Sequence, residues 1–171
     1  MKKTVYFSDN FFSSGETEIF NEGQKIIGKL DLRSAFSAAV DIKAPDGKII
    51  LSGSFGFFSN KWYIKDYEEK ELGELRERFA FFKSIYEYKA HGRGIYRLES
   101  PAFSREYTLF DENDELAAEF KRTDSLFEAA AFELSDYTTD LETEELVAVV
   151  MGMNAIQKRR SSQHSSAPPA T

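Results

Sequence analysis

Cysteine is absent from the 171 residues, so the chain has no disulfide and no thiolate chemistry, a composition that fits a reducing cytosol. Histidine is nearly absent. Its two occurrences, His91 and His164, cannot build a metal site between them, and no motif supplies a catalytic His91 with a nucleophile or an orienting partner. There is no apolar run of bilayer length. The longest, Leu146–Ile156, has one polar side chain, Asn154, and as a helix would extend about 16 Å. A transmembrane span needs about 20 apolar residues. A surplus of bases is also missing: 22 Lys and Arg face 29 Asp and Glu, for a net charge of −7. Lys158, Arg159 and Arg160 account for three of those bases and no acid follows Gln157, so the preceding body carries 19 bases against 29 acids. Such a field repels phosphate backbones at long range, and nucleic acid is not an expected partner.

What the chain does have is apolar and aromatic material. Hydrophobic residues make up 42% and aromatic residues 15%, with Phe alone occurring 16 times. That length and content suit one globular domain with a real core, and Phe and Tyr favour pleated, half-buried surfaces. The N-terminal Met1-Lys2-Lys3 is followed by a stretch broken by polar residues, which reads as a first strand running toward Ser14 and not as a signal peptide. The expected location is the cytoplasm.

One unit recurs along the body. Glu18–Leu30, Asp41–Phe55, Tyr63–Leu75 and Thr108–Phe120 each read as strand, polar turn, strand. In each, the returning strand sets a small residue two before a large one: Gly28 and Leu30, Gly53 and Phe55, Gly73 and Leu75, Ala118 and Phe120. Such a residue marks a bend or a close backbone approach. Further strands are expected at Ser84–Ala90 and Gly94–Glu99, joined by a turn at His91–Gly94. Conservative counting gives about twelve strands in a meander.

The apolar run Leu146–Ile156 predicts a helix over about 141–159. Glu142, Glu144 and Glu145 precede the run and Lys158, Arg159 and Arg160 follow it, matching the helix dipole. Thr139 with Glu142 stands at capping-box spacing, and Thr143 is an alternative cap. A helix apolar on every face must be buried on every face. Many strands with one apolar face and a single such helix are both satisfied by a closed antiparallel β-barrel of about twelve strands around a central hydrophobic C-terminal α-helix. A flat sheet would leave Val147, Val150 or Met153 in water. The domain is expected to span 1–159, with 160–171 a disordered tail rich in Ser and Pro.

The remaining motifs read as structure. Asp111–Glu115 lacks the Gly and bidentate Glu of a calcium hand and reads as an acidic turn. Glu68–Glu71 is a solvated turn, and His91–Gly94 is too short for a phosphate loop. The basic run 158–160 has three charges, fewer than a lipid-binding cluster, and reads as a complement to the helix dipole. No metal site, cofactor or catalytic residue is expected.

The repeated hairpins, the late run Glu144-Glu-Leu-Val-Ala-Val-Val-Met-Gly-Met-Asn-Ala-Ile156, and the segments Phe11–Ser14 and Arg78–Phe82 resemble the tubby C-terminal-like superfamily. That group comprises tubby proteins, phospholipid scramblases, plant LURP-one-related proteins and small bacterial members. The resemblance implies a twelve-stranded barrel around a hydrophobic C-terminal helix. It also implies a non-enzymatic domain, since tubby barrels bind phosphoinositide headgroups through basic residues two apart on one strand. Arg76 and Arg78 have that spacing, although acidic Glu74 shares their face. Arg76, Arg78, Arg93 and Arg97 are therefore the candidate residues for a lipid headgroup or another small anionic ligand. The alternative is a protein-interaction or structural module with a polypeptide partner. The cysteine-dependent features of scramblases have no counterpart here.

Overall fold

The computed structural model describes residues 2–13, 15–33, 39–80, 83–101, 104–123 and 130–165. Ser14, the Phe81–Phe82 end of the family-like segment and the expected tail beyond Ser165 lie outside the described residues.

Twelve strands follow one another around the barrel: β1 (Lys3–Phe7), β2 (Gly15–Asn21), β3 (Ile26–Leu32), β4 (Val40–Lys43), β5 (Ile49–Phe55), β6 (Trp62–Asp66), β7 (Glu71–Ala80), β8 (Lys83–Ala90), β9 (Gly94–Glu99), β10 (Tyr107–Phe110), β11 (Leu116–Arg122) and β12 (Phe132–Asp136). Each pairs antiparallel with its neighbours in sequence, and β12 closes onto β1 with Val5 opposite Leu134. The helix α1 (Thr143–Ser165) threads the closed sheet. Every residue from Glu145 to Ile156 is buried, so the all-round apolar run is satisfied by walls on all sides. Among the described residues no helix is long and apolar enough to cross a membrane.

The four recurring hairpins share one geometry. In each, the first turn residue takes up the carbonyl of the fifth, as Asn21 does with Lys25 and Asp66 with Lys70, and the fourth donates back to the first. That fourth residue is left-handed in all four, at Gln24, Gly47, Glu69 and Asp114. A one-residue register shift follows beside the turn, the signature of a turn with an added bulge. The Asp66 and Asp111 carboxylates each accept two backbone N–H groups, which is why an acid opens these turns. The small residue further along makes room: a Cβ on Gly53 would stand 2.7 Å from the Trp62 ring.

Because strand directions alternate, these four hairpins and the Ala90–Gly94 turn crowd one mouth of the barrel, where α1 enters. The longer connections, including 100–106 and the loop between β5 and β6, crowd the opposite mouth, where α1 leaves.

Three boundaries differ from expectation. The first strand stops at Phe7, and Asp9–Phe12 forms a 3₁₀ turn that drives Phe11 and Phe12 into the core, 4.7 Å apart and edge-on to one another. The turn formers Ser8, Asp9 and Asn10 break the extended chain there. The helix begins at Thr143, and the Thr139–Glu142 box does not form. Leu146 N donates to Glu142 O, while the Thr143 hydroxyl donates to Asp136 at 2.8 Å. At its other end the helix runs past Arg159 to Ser165. No Gly or Pro lies between Met153 and Ala167, and extending a buried helix costs little once it is nucleated. The Ser161 and Ser162 hydroxyls bond back to the carbonyls of Gln157 and Lys158 at 3.0 Å each.

Candidate functional site

Of the four candidate arginines, three share the outer wall. Arg76 on β7 stands opposite Glu87 on β8, which stands opposite Arg97 on β9. Glu87 accepts from Arg76 at 2.7 Å through one oxygen and from Arg78 at 2.8 Å through the other. Burial pushes the Glu87 carboxyl up, but the two guanidinium bonds outweigh it and hold it below the usual range. Arg97 bonds Asp114 at 2.7 Å and also pairs with Glu99, its guanidinium lying 4.8 Å from the Phe110 ring. Glu74, on the same face, is taken by Lys61 at 3.1 Å. An external anion on this wall would have to displace carboxylates already in place.

A lowered folded value means that the native state binds fewer protons than the unfolded chain in that window. Glu87 thus contributes stability above about pH 4.3, the ordinary glutamate value, and loses it as pH falls through its folded value. E87Q is expected to flatten the acid limb of a stability–pH curve measured by urea titration. An unchanged limb would show that the wall cluster carries no such linkage.

Arg93 is elsewhere, at the mouth where the helix enters. It donates to both oxygens of Glu145, at 2.6 and 2.9 Å, and to the Leu72 carbonyl at 3.1 Å. Glu145 is 1% exposed, and the Tyr88 hydroxyl donates to it from inside the barrel. The hydrogen bond to Glu145 raises the Arg93 titration point, and burial, reinforced by Glu145, raises that of Tyr88. This triad ties the first helical turn to β7, β8 and the β8–β9 turn, a structural latch and not an open site. Nearby, His91 Nε2 lies 2.6 Å from Glu71. Among the described residues no group of three His, Cys, Asp or Glu could hold a metal ion.

A further set of cations gathers at the other mouth. Arg159 lies over the Phe55 ring, 3.4 Å from its centroid, and donates to Ser59 O at 3.1 Å; Arg160 pairs with Glu77 at 2.6 Å. With the helix continuing to Ser165, these bases sit inside it and brace the rim, which the dipole reading did not foresee. Two clefts flank the emerging helix. One, of about 550 Å³, is lined by Phe55, Lys61, Arg76 and Glu77 and by the Arg159 side of the helix. The other, of about 620 Å³, is lined by Tyr86, Ser104, Arg105, Asn154, Gln157, Lys158, Arg160, Ser161 and Ser162. Its lining holds three cations, three serine hydroxyls and two amides, and no carboxylate. No carboxylate among the described residues pairs with Arg105 or Lys158; Arg105 instead lies 5.2 Å from the Phe12 ring centroid. The guanidinium, ammonium and amide N–H groups and the Ser104 hydroxyl can donate to anionic oxygens, while the Ser161 and Ser162 hydroxyls donate to helix carbonyls. It offers no activated nucleophile.

Arg76 alone of the four candidates reaches either cleft. Arg105 was missed because it stands in a connecting loop without a motif, and Lys158 because its run was assigned to the dipole. The basic run was the only available signal.

A closed twelve-stranded antiparallel barrel threaded by its C-terminal helix defines the fold class. No family model matches the sequence, and no curated protein does either. Among solved structures, the chain is similar to a protein from Arabidopsis thaliana, with a TM-score of 0.65 at 10% identity over 91% of each chain. At that identity the likeness is one of fold.

Proposed function

We propose that this is a non-enzymatic tubby-like barrel that binds a phosphate-bearing anion, a lipid headgroup or a small ligand of the same chemistry, in the cleft between Arg105 and the exposed face of α1. The observation that carries this reading is the cleft lining: cations and hydroxyls without a single carboxylate, in a protein of net charge −7. Guanidinium forks and hydroxyls suit the several oxygens of a phosphate, and two cations with no carboxylate to release meet it at little cost. The Arg76–Arg78 wall is the competing location, weakened by the hold of Glu87.

Titration calorimetry with soluble inositol trisphosphate, and with inorganic phosphate as the minimal probe, tests both locations. Binding is expected to fall at least about tenfold in R105E/K158E, as loss and reversal of two charge-assisted contacts implies. R76E/R78E is expected to bind as the wild type does. The reverse pattern would move the site to the wall, and no heat with either probe would sink the anion reading.

A further inference from the structure

The loop between β5 and β6 carries the two most exposed large hydrophobic residues described in the molecule. Phe57 is 90% and Phe58 98% exposed, adjacent and in edge contact with each other at 4.3 Å. They are the central pair of a turn closed by Ser59 N donating to Gly56 O at 3.1 Å. Phe58 has φ 55°, the left-handed setting that turns ordinarily give to Gly or Asn. A bulky side chain there is strained, and nothing within the fold repays it, since neither ring is buried. The turn is nevertheless held firmly: Gly56 N bonds Lys61 O, Lys61 N bonds the Ser59 hydroxyl at 3.0 Å, and Arg159 grips Ser59 O. It is a stiff tip presenting two rings to solvent.

Its surroundings name the occupant. The tip stands at the mouth where α1 leaves, and Lys61 and Arg159 flank it. Arg105 and Lys158 face outward at the same mouth. The acidic hairpins 66–70 and 111–115 lie at the opposite mouth, so the barrel is electrically polarised along its axis. An anionic surface therefore attracts the Phe-bearing end and repels the other. Two rings on a convex tip flanked by Lys61 and Arg159 offer too little apolar area for a stable protein interface, but they match a bilayer, whose headgroup layer is anionic and whose acyl boundary is apolar.

We infer that Phe57 and Phe58 form a bilayer-inserting tip, entering the acyl boundary of an anionic membrane while the cations of the exit mouth meet its headgroups. The inference deepens the cleft reading, on which it rests for the headgroup contact. The insertion itself is carried by the loop.

The test uses the full chain with vesicles of phosphatidylcholine, with and without phosphatidylserine, at low and high salt. Wild type is expected to sediment with the anionic vesicles and not with the neutral ones. F57S/F58S, altered only at exposed positions, is expected to lose roughly tenfold or more of that partitioning, given the apolar area withdrawn, while its affinity for soluble inositol trisphosphate stays unchanged. In a second arm, F58W is expected to shift its emission to the blue on anionic vesicles and to be quenched by brominated acyl chains, against a constant background from the buried Trp62. Equal sedimentation of F57S/F58S and wild type, or an unquenched F58W, overturns the inference. So does wild type that binds soluble inositol trisphosphate but no vesicle, and that outcome leaves the cleft reading standing. Calorimetric silence with intact, tip-dependent sedimentation does the opposite, removing the cleft while keeping the tip.

Discussion

Replacing Arg93 with alanine is expected to lower the unfolding free energy by about 3–5 kcal/mol, the usual cost of removing one partner from a buried ion pair. For a chain of this size that is roughly 10 °C or more in melting temperature. The reason lies in the asymmetry of the pair. Glu145 is 1% exposed on its side chain and Arg93 29%, so loss of the arginine strands a carboxylate inside the barrel. Only the Tyr88 hydroxyl remains to serve it. Loss of the glutamate, by contrast, leaves a guanidinium that can turn toward water. E145Q is therefore expected to cost less than R93A, and R93A/E145Q to recover part of the R93A loss. Thermal and urea unfolding followed by circular dichroism would measure all three. If R93A melts within about 2 °C of wild type, the latch does not fasten the helix to the barrel mouth.

Trp62 carries the second large effect. Its ring fills a slot between β5 and α1, meeting Phe55 edge-on at 5.3 Å and leaving 1% of its surface exposed. W62A is expected to cost about 3–5 kcal/mol, the range for deleting a large aromatic from a core. W62F should cost less, because its ring still fills part of the slot and the indole Nε1–H has no acceptor among the described residues. The slot exists because both of its sides are glycine. A Cβ on Gly152 would stand 2.5 Å from Trp62 Cδ1, and one on Gly53 would stand 2.7 Å from Cζ2. G152A gains roughly 1 kcal/mol of helix propensity. The collision with the ring outweighs it, at about 1–3 kcal/mol of overpacking. Its sign should therefore reverse once the ring is gone, with G152A stabilising a W62A background. A double-mutant cycle by urea unfolding gives the coupling, and additive effects would mean that Gly152 and Trp62 do not share the slot.

Much of this was legible in the sequence. The four hairpins were visible because turn chemistry is local: an opening Asn or Asp in three of them and Pro-Asp-Gly in the fourth, with a small residue further along, each act within a few positions. The helix was visible because eleven nearly uninterrupted apolar residues leave it no solvent face. Its far end was not, because composition describes what a free tail does, whereas Arg160–Ser165 extend a helix already nucleated by burial. Arg76 and Arg78 were chosen by a spacing, and neither spacing nor residue type reveals partners on other strands. Glu87 lies eleven residues from Arg76, Glu145 fifty-two from Arg93, and both pairings depend on strand register or on the threading of the helix.

The sequence by itself determined that the chain builds a meander of hairpins and buries the apolar run of one helix, because periodicity and turn chemistry are properties of neighbouring residues. Only the tertiary structure decided which charges remain available. Closing the barrel matched Arg76, Arg78, Arg93 and Arg97 to carboxylates, sent the acidic hairpins to one mouth, and left Arg105, Lys158 and the Phe57–Phe58 tip at the other. A charge's availability depends on what faces it across space, and that is fixed by register and closure.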